Sequence, residues 1–307
     1  MKIKTRENIK GLSVAVPVSL YYLIFTVVPL GMLFTYAFTD YNIEKNQFGF
    51  VGFDNFARIF KVGDYFASIG VTLLIAVFVM LIGLTLGFIL GYMLMKVRKG
   101  RGATRVLWYI PALVSMAVLS MIVDLMLGTE GTMNRLFAAL GLKTQDWYGS
   151  KFWMYFWIIL VVSWKGIGGT AILFMAGFSS VDKEIYEAAE IDGSKGAHRV
   201  FHITLPLIRP MLGFILVTGF IGAFNIFEPV MLISEGGPDG STKVILYRIY
   251  DQAFLNGNQG FASALSVVVF FLVLILTLVN MRFTDNTMFK ADLKAAKKTR
   301  GGSGIKI

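Results

Sequence analysis

The sequence predicts an all-α membrane protein with six transmembrane helices, because of its composition, its charge distribution and the length of its apolar runs. Of the 307 residues, 56% are hydrophobic and only 16% are charged, and the mean hydropathy is +0.67. A soluble domain normally carries about 25% charged residues. Long uncharged runs alternate with short charged clusters. This alternation is typical of helices that cross a bilayer and loops that leave it.

Six apolar runs are each long enough to cross the membrane as a helix, which requires about 20 residues. Within a helix the backbone N–H and C=O groups hydrogen-bond to each other, which is necessary because lipid offers them no partners. The apolar part of a signal peptide covers only about 7–15 residues, so the longer first run predicts a retained helix. The six runs cover residues 11–39, 65–95, 106–127, 152–178, 210–233 and 252–281.

The distribution of lysine and arginine predicts the orientation of the chain. Segment 1–10, loop 96–105 and tail 284–307 are rich in these residues, whereas the loops on the opposite side are poorer. Since basic loops remain cytosolic, both termini are predicted to be cytosolic, on either side of a membrane domain 11–283. The same loops explain the net charge of +10 without any role in binding nucleic acid.

Several kinds of site are excluded by the residue types present. Cysteine does not occur, which excludes disulfides, thiolate metal sites and a thiol nucleophile. The two histidines, His198 and His202, lie in one loop, so neither a histidine-rich metal site nor a Ser-His-Asp arrangement is expected. A Gly-x-x-x-x-Gly-Lys-Ser/Thr phosphate loop is also missing. We therefore expect no catalytic residue, no metal and no cofactor in this chain.

Loop 180–209 differs from the other predicted cytosolic segments because it begins with acidic residues. Between Asp182 and Gly193, five acids stand against one base, Lys183. The stretch is rich in helix formers, Asp182 can cap its start, and Gly193 suits a left-handed turn after its end. The predicted helix either merely links two spans or docks a cytosolic partner. Its small apolar face would consist of Ile185, Ala188 and Ala189.

This loop resembles the EAA loop of the permease subunits of binding-protein-dependent ABC importers. Trp164-Lys165 and Gly236-Gly237-Pro238 are similar to segments of the maltose-permease-like sugar subunits, of the first of the two permease types. The resemblance extends from the first span to about Arg282. In the loop it rests on Glu187, Ala188, Ala189, Asp192, Gly193, Leu205 and Pro206.

The resemblance implies a type I ABC importer permease fold and a multi-pass protein of the bacterial plasma (inner) membrane, in contact with lipid. It implies a second homologous permease, two ATPase subunits that bind ATP and Mg, and an extracellular solute-binding protein. The acidic helix would be the coupling helix, which docks on the ATPase. The chain would then be a transport subunit for a sugar or oligosaccharide, without an ATPase site of its own, and not an enzyme.

Charged and polar side chains within the apolar runs are candidates for a substrate pathway, since charge is costly inside a membrane. A sugar site combines aromatic faces with hydrogen-bonding groups. Each candidate also has a structural alternative: a gate or snorkelling for Lys165, the outer water boundary for Asp124, and helix packing for the phenylalanines. The candidates are Asn225, Glu228, Asp124, Phe224, Phe227, Lys165 and Ser266.

The second apolar run carries Gly83, Gly87 and Gly91 at four-residue spacing. Small residues at this spacing form a flat strip that predicts close contact with another helix. Glycine is also frequent in membrane helices that have no such contact, which is the alternative.

Two other functions remain open at this level. The first is an importer of another solute, such as glycerol phosphate or a polyamine. A phosphate-bearing solute would favour several basic groups in the pathway, and only Lys165 is available, so a neutral or weakly charged sugar is preferred. The second is a secondary transporter, which would leave the acidic helix of loop 180–209 unexplained.

Overall fold

The computed structural model describes residues 12–13, 15–97 and 99–301, with the backbone alone at 101 and 283–301. The predicted cytosolic segment 1–10 and the end of the predicted tail, 302–307, lie outside the described residues. Helices dominate, and within the described ranges β-structure is limited to two isolated bridges.

Twelve helices are used below to locate side chains. Short π-helical turns also occur at Val230–Ser234 and Asp251–Leu255. In chain order the helices are α1 (Ala15–Ala37), α2 (Asp54–Lys61), α3 (Gly63–Lys96), α4 (Arg101–Leu113), α5 (Met116–Leu127), α6 (Thr132–Ala139), α7 (Lys151–Ser179), α8 (Lys183–Ile191), α9 (Gly196–Leu207), α10 (Arg209–Phe224), α11 (Ile245–Tyr250) and α12 (Gln259–Gly301).

The helices provide between four and six candidate membrane spans. Helices α1, α3, α7 and the part of α12 up to Arg282 are each long and apolar enough to cross a bilayer. The third predicted span, 106–127, lies on the bent pair of α4 and α5, which meet at 80°. The fifth predicted span, 210–233, begins on α10, whose helix ends at Phe224, and α10 meets α9 at 76° just before that span begins. The prediction of an all-α chain with several membrane helices is confirmed. A count of six requires each bent pair to be one span.

The break between α4 and α5 comes from extended backbone at two residues. Val114 and Ser115 have ψ angles of 140° and 138°, which no helix can accommodate. Pro111 lies within the last turn of α4 and cannot donate a backbone hydrogen bond there. The last carbonyl groups of α4 are therefore left without helical N–H partners.

Helices α3 and α7 approach closely at two of the three spaced glycines. A Cβ atom on Gly87 would lie 2.7 Å from the Thr170 side chain, and one on Gly91 would lie 2.7 Å from the Ala171 carbonyl oxygen. At Gly83 the space is open, with nothing within 4 Å. Gly87 and Gly91 thus pack against α7, whereas Gly83 borders open space.

The chain divides into two compact units, Met1–Ala67 with Arg248–Phe271 and Ser68–Tyr247 with Leu272–Ile307. In the first unit, the Asn42 amide nitrogen donates to the Asn258 side chain at 2.8 Å, and the Arg58 guanidinium lies 4.4 Å from the Phe261 ring centre.

The second unit contains aromatic and aliphatic cores around α7. Trp147 is almost fully buried against Trp153 and Trp157, and Phe88 of α3 packs edge-on against Phe174. Helix α7 therefore forms the packing centre of this unit, and the candidate site is built around it.

Candidate functional site

The acidic helix α8 ends in a well-defined hydrogen-bonded turn. Gly193 has φ = +76°, its N–H donates to the Glu190 carbonyl at 3.1 Å, and the Ser194 N–H donates to the Ala189 carbonyl at 2.8 Å. These two bonds form a Schellman turn, which favours glycine at the left-handed position. At the start of the helix, Asp182 occupies the capping position but its side chain makes no capping hydrogen bond.

Most of the predicted docking residues of α8 are accessible. Glu187, Ala188, Asp192 and Gly193 are exposed, whereas Ala189 is only 7% exposed and packs inward. The predicted apolar face opens onto a groove of about 750 Å³, which Ala188, Asp192 and Gly193 help to line. The lining also includes Lys195 and His198, so the groove itself is of mixed charge. The exposed carboxylate of Glu187 on the same helix is suitable for a basic partner surface.

The segment that follows α8 is held by Arg199. Its Nε and Nη2 atoms donate to the Ser194 carbonyl at 3.2 and 3.0 Å, and Nη2 lies 3.5 Å from a Glu190 carboxylate oxygen. The Ser194 hydroxyl also lies 3.0 Å from His198 Nδ1. These contacts link the end of α8 to α9 and were not predicted from the sequence.

Leu205 and Pro206 lie in the last turn of α9 and are half-buried. Leu205 packs against the cluster formed by Phe174, Phe178 and Ile208, which includes the end of α7. The loop is therefore anchored to α7 at both ends, directly through Ser179 and by packing through Leu205.

A cavity of about 320 Å³ lies among α3, α5, α7 and α10. Most of its lining is apolar. Ser163 is 3% exposed, and its hydroxyl has no hydrogen-bond partner among the described residues. The hydroxyls of Thr170 and Thr218 donate to carbonyls of their own helices. The polar side chains on the wall are Ser163, Lys165, Thr170 and Thr218.

Lys165 lies on the cavity wall but is engaged by backbone. Its ammonium donates to the carbonyl oxygens of Ala112 at 2.9 Å and Val114 at 2.6 Å, at the break between α4 and α5. A cation is favourable at a helix C-terminus, where carbonyl groups lack partners. Lys165 therefore joins α7 to the broken pair, and Met116 at the start of α5 forms part of the same wall.

Asp124 interacts with the loop before α7. The Tyr148 hydroxyl donates to its carboxylate at 2.7 Å and contacts its carbonyl oxygen at 3.0 Å. Partial burial and this hydrogen bond raise the pKa of Tyr148. Asp124 thus has a structural partner and does not line the cavity.

The remaining candidates are not among the residues that line the cavity. The Asn225 amide is exposed and donates to the Ile221 carbonyl at 2.8 Å. Phe224 is buried, while Phe227 and Glu228 are half-buried. Ser266 belongs to the first unit, and its hydroxyl donates to the Ala262 carbonyl at 2.9 Å. Lys165 is the member of the predicted set that the structure places on the cavity.

The sequence interpretation missed the hydroxyl groups of the cavity. A usable signal was present on α10, where Ile215, Thr218, Gly219 and Gly222 lie three, four and seven residues apart and hence on one face. Ser163, Gly166 and Thr170 have the same spacing on α7. Small and hydroxyl residues that recur on one face of an apolar helix are typical of contacts or cavities within a bundle.

We expect Lys165→Met to lower the free energy of unfolding by about 1–3 kcal/mol, because two partly buried carbonyl groups lose their donor. Lys165→Arg, which retains N–H donors, should lose less. Lys151→Met, at the exposed first turn of the same helix, is the matched control. Thermal or denaturant unfolding of the purified chain in detergent measures the difference. Equal stability of Lys165→Met and the control would contradict the bracing role of Lys165.

Comparison with known proteins gives relatives along most of the chain. The trehalose/maltose transport system permease protein MalF of Thermococcus litoralis is 29% identical, over 92% of this chain and 95% of its own length. The sn-glycerol-3-phosphate transport system permease protein UgpA of Agrobacterium fabrum is 29% identical, over 79% and 85% respectively. A crystal structure of a bacterial ABC transporter for the import of alginate shares the fold, with a TM-score of 0.79 and 23% identity over 92% of this chain and 99% of the other.

A family model matches residues 83–286, which contain the whole of loop 180–209 and all of α5, α7 and α10. The resemblance noted from the acidic loop is confirmed by this match. The chain therefore belongs to the family of binding-protein-dependent transport system inner membrane components, and it is a multi-pass permease subunit of an ABC importer.

Proposed function

We propose that this chain forms the translocation pathway of an ATP-driven sugar or oligosaccharide importer together with a second homologous permease. Two cytosolic ATPase subunits would bind ATP and Mg, and an extracellular solute-binding protein would deliver the sugar. The observation that carries the proposal is the exposed acidic helix α8, which ends in the Schellman turn at Gly193. Its sequence matches the EAA loop pattern, and its groove provides a docking surface.

Loop 180–209 connects α7 to α10, so a displacement of α8 would be transmitted to the helices that line the cavity. Helix α7 ends at Ser179, just before α8, and α10 begins at Arg209, just after α9. Both α7 and α10 line the cavity. Leu205 and the contacts of Arg199 make the loop resistant to independent movement. Displacement of α8 by ATPase closure would therefore move two cavity walls, without any chemistry in this chain.

The chemistry of the cavity favours a neutral, hydroxyl-rich solute. Its wall combines apolar surface with the buried hydroxyl of Ser163, which is free to bond a sugar hydroxyl. Lys165 is the one base on the wall, and its ammonium already contacts two carbonyl groups. A glycerol phosphate would need a less committed cation. The relatives carry names of both solute classes, so the cavity supplies the reason for preferring the sugar.

The other pathway candidates remain proposals for contacts outside this cavity. Asn225, Phe224, Phe227 and Glu228 cluster at the end of α10, where a solute entering or leaving could meet them. Asp124 and Ser266 could contribute in another conformation if they exchange their present intramolecular hydrogen bonds for bonds to the solute.

An affinity-tagged chain purified in detergent from its native host tests the assembly. We expect a homologous permease and an ATPase to copurify, identified by mass. Glu187→Lys should reduce the retained ATPase about tenfold, as a loss of ~1.4 kcal/mol of docking energy would produce. The partner permease should be retained. Gly193→Pro should abolish coupling between ATP hydrolysis and uptake.

Glu184→Lys is the matched control for this experiment, because it makes the same charge reversal on the same helix outside the EAA pattern. Full ATPase retention and normal coupling in both test variants would overturn the assigned role of α8. A chain that purifies without an ATPase would contradict the proposed assembly.

A second prediction concerns the solute. Ser163→Ala should raise the sugar concentration for half-maximal uptake about fivefold, the effect of one lost hydrogen bond of ~1 kcal/mol. Ser180→Ala, which removes a hydroxyl bonded to its own helix at the end of α7, is the control. Uptake by membrane vesicles containing the assembled importer measures both. Unchanged half-saturation in Ser163→Ala, or uptake of glycerol phosphate in place of sugars, would contradict the cavity assignment.

We also propose six spans in the bacterial inner membrane, with domain boundaries at 11–283 and both termini cytosolic. The chain has no cysteine, so single introduced cysteines report sidedness directly. In intact cells, a membrane-impermeant maleimide should label Lys45→Cys and should label Lys183→Cys only after permeabilisation. Labelling of Lys183→Cys in intact cells would contradict the proposed orientation.

A further inference from the structure

A second, smaller cavity of about 270 Å³ lies between the ends of α3 and α7 and the helices α8 and α9. Lys96 and Tyr92 of α3 contribute to its wall, as do Tyr186 of α8 and Arg199 of α9. Phe178 of α7 and Met95 supply apolar surface. The transport mechanism described above makes no use of this cavity.

The position of the cavity coincides with the end of two apolar spans. Lys96 is the first charged residue after the uncharged run 65–95, and Phe178 belongs to the last turn of α7. Such residues lie at the boundary between hydrocarbon and headgroups, where long basic side chains and tyrosines have one end in each environment. The cavity therefore opens at the depth of the lipid headgroups.

Its charge is predominantly positive. Lys96 Nζ lies 4.5 Å from the Tyr92 ring centre, and no ion pair of Lys96 with a carboxylate occurs among the described residues. Arg199 uses Nε and Nη2 for the Ser194 carbonyl and Glu190, and no bond of its Nη1 occurs among the described residues. Glu190 is 68% exposed and does not line the cavity.

We propose that this cavity binds the headgroup of an anionic phospholipid, with its phosphate between Lys96 and Arg199. Basic pockets between membrane helices recognise such headgroups through charge and hydrogen bonds. The apolar surface of Met95 and Phe178 accommodates the glycerol region and the first acyl carbons. That surface favours a lipid over inorganic phosphate, which would gain nothing from it.

A bound lipid would connect the membrane boundary to the loop that carries the acidic helix. Tyr186 lies on α8 and Arg199 lies on α9, while Lys96 and Phe178 mark the ends of two spans. The headgroup would therefore join the end of α3 to α8 and α9, which lie far from it in the sequence. The lipid site does not depend on whether the transported solute is a sugar.

Native mass spectrometry of the purified full-length chain with phosphatidylglycerol, phosphatidylcholine or inorganic phosphate tests the proposal. We expect phosphatidylglycerol to be retained in preference to phosphatidylcholine. Lys96→Gln and the double change with Arg199→Gln should each weaken retention, by about fivefold per lost charge, since one base near an anionic headgroup contributes ~1 kcal/mol. Lys183→Gln removes the same charge from exposed α8 without touching the cavity and should bind normally.

Lys96 is exposed, so Lys96→Gln tests the site even if Arg199→Gln disturbs the loop; circular dichroism and size-exclusion chromatography verify folding. Equal retention of phosphatidylglycerol by wild type and Lys96→Gln would overturn the proposal. Competition by inorganic phosphate at concentrations similar to those of the lipid would also overturn it, in favour of a free-anion site.

Discussion

A cation within an apolar helix bundle requires partners, and Lys165 has them in the carbonyl groups of Ala112 and Val114. The two extended residues that separate α4 from α5 expose these carbonyls, and the ammonium compensates both the missing N–H donors and its own desolvation. One wall of the central cavity depends on this contact, because it sets the place where α5 begins relative to α7. A side chain that looks like a substrate group is thus part of the scaffold.

Glycines on α3 and α7 allow the neighbouring helices to approach α7 closely. Gly168 lies so close to the Trp108 carbonyl of α4 that a Cβ atom would collide with it. Gly87 and Gly91 also bring α3 close to α7, where an added Cβ atom would lie 2.7 Å from its nearest neighbour. Without hydrophobic driving force between helices in lipid, such close packing and a few polar contacts hold the bundle together. Helix α7 is consequently the element through which movement of the acidic loop can reach the cavity.

Much of this architecture follows from local properties of the chain. Uncharged runs of sufficient length predict membrane helices, since backbone groups in lipid must pair within their own segment. Helix α8 and its end at Gly193 were predicted because capping depends on a few adjacent residues, and a left-handed position favours glycine wherever it occurs. The acidic residues of loop 180–209 are likewise visible in the sequence. They distinguish this loop from the basic segments 1–10, 96–105 and 284–307.

The sequence by itself determined the helical class, the apolar runs and the acidic helix, because these depend on neighbours within one or two turns. Only the tertiary structure decided that the third run bends between α4 and α5 and that the helix of the fifth run ends at Phe224. It also decided that Lys165 bonds the backbone more than 50 residues away, and that Ser163 rather than Asn225 faces the cavity. Composition and spacing cannot reveal these features. They depend on which face of one helix meets the broken end of another, and that is settled by packing between segments distant in the chain.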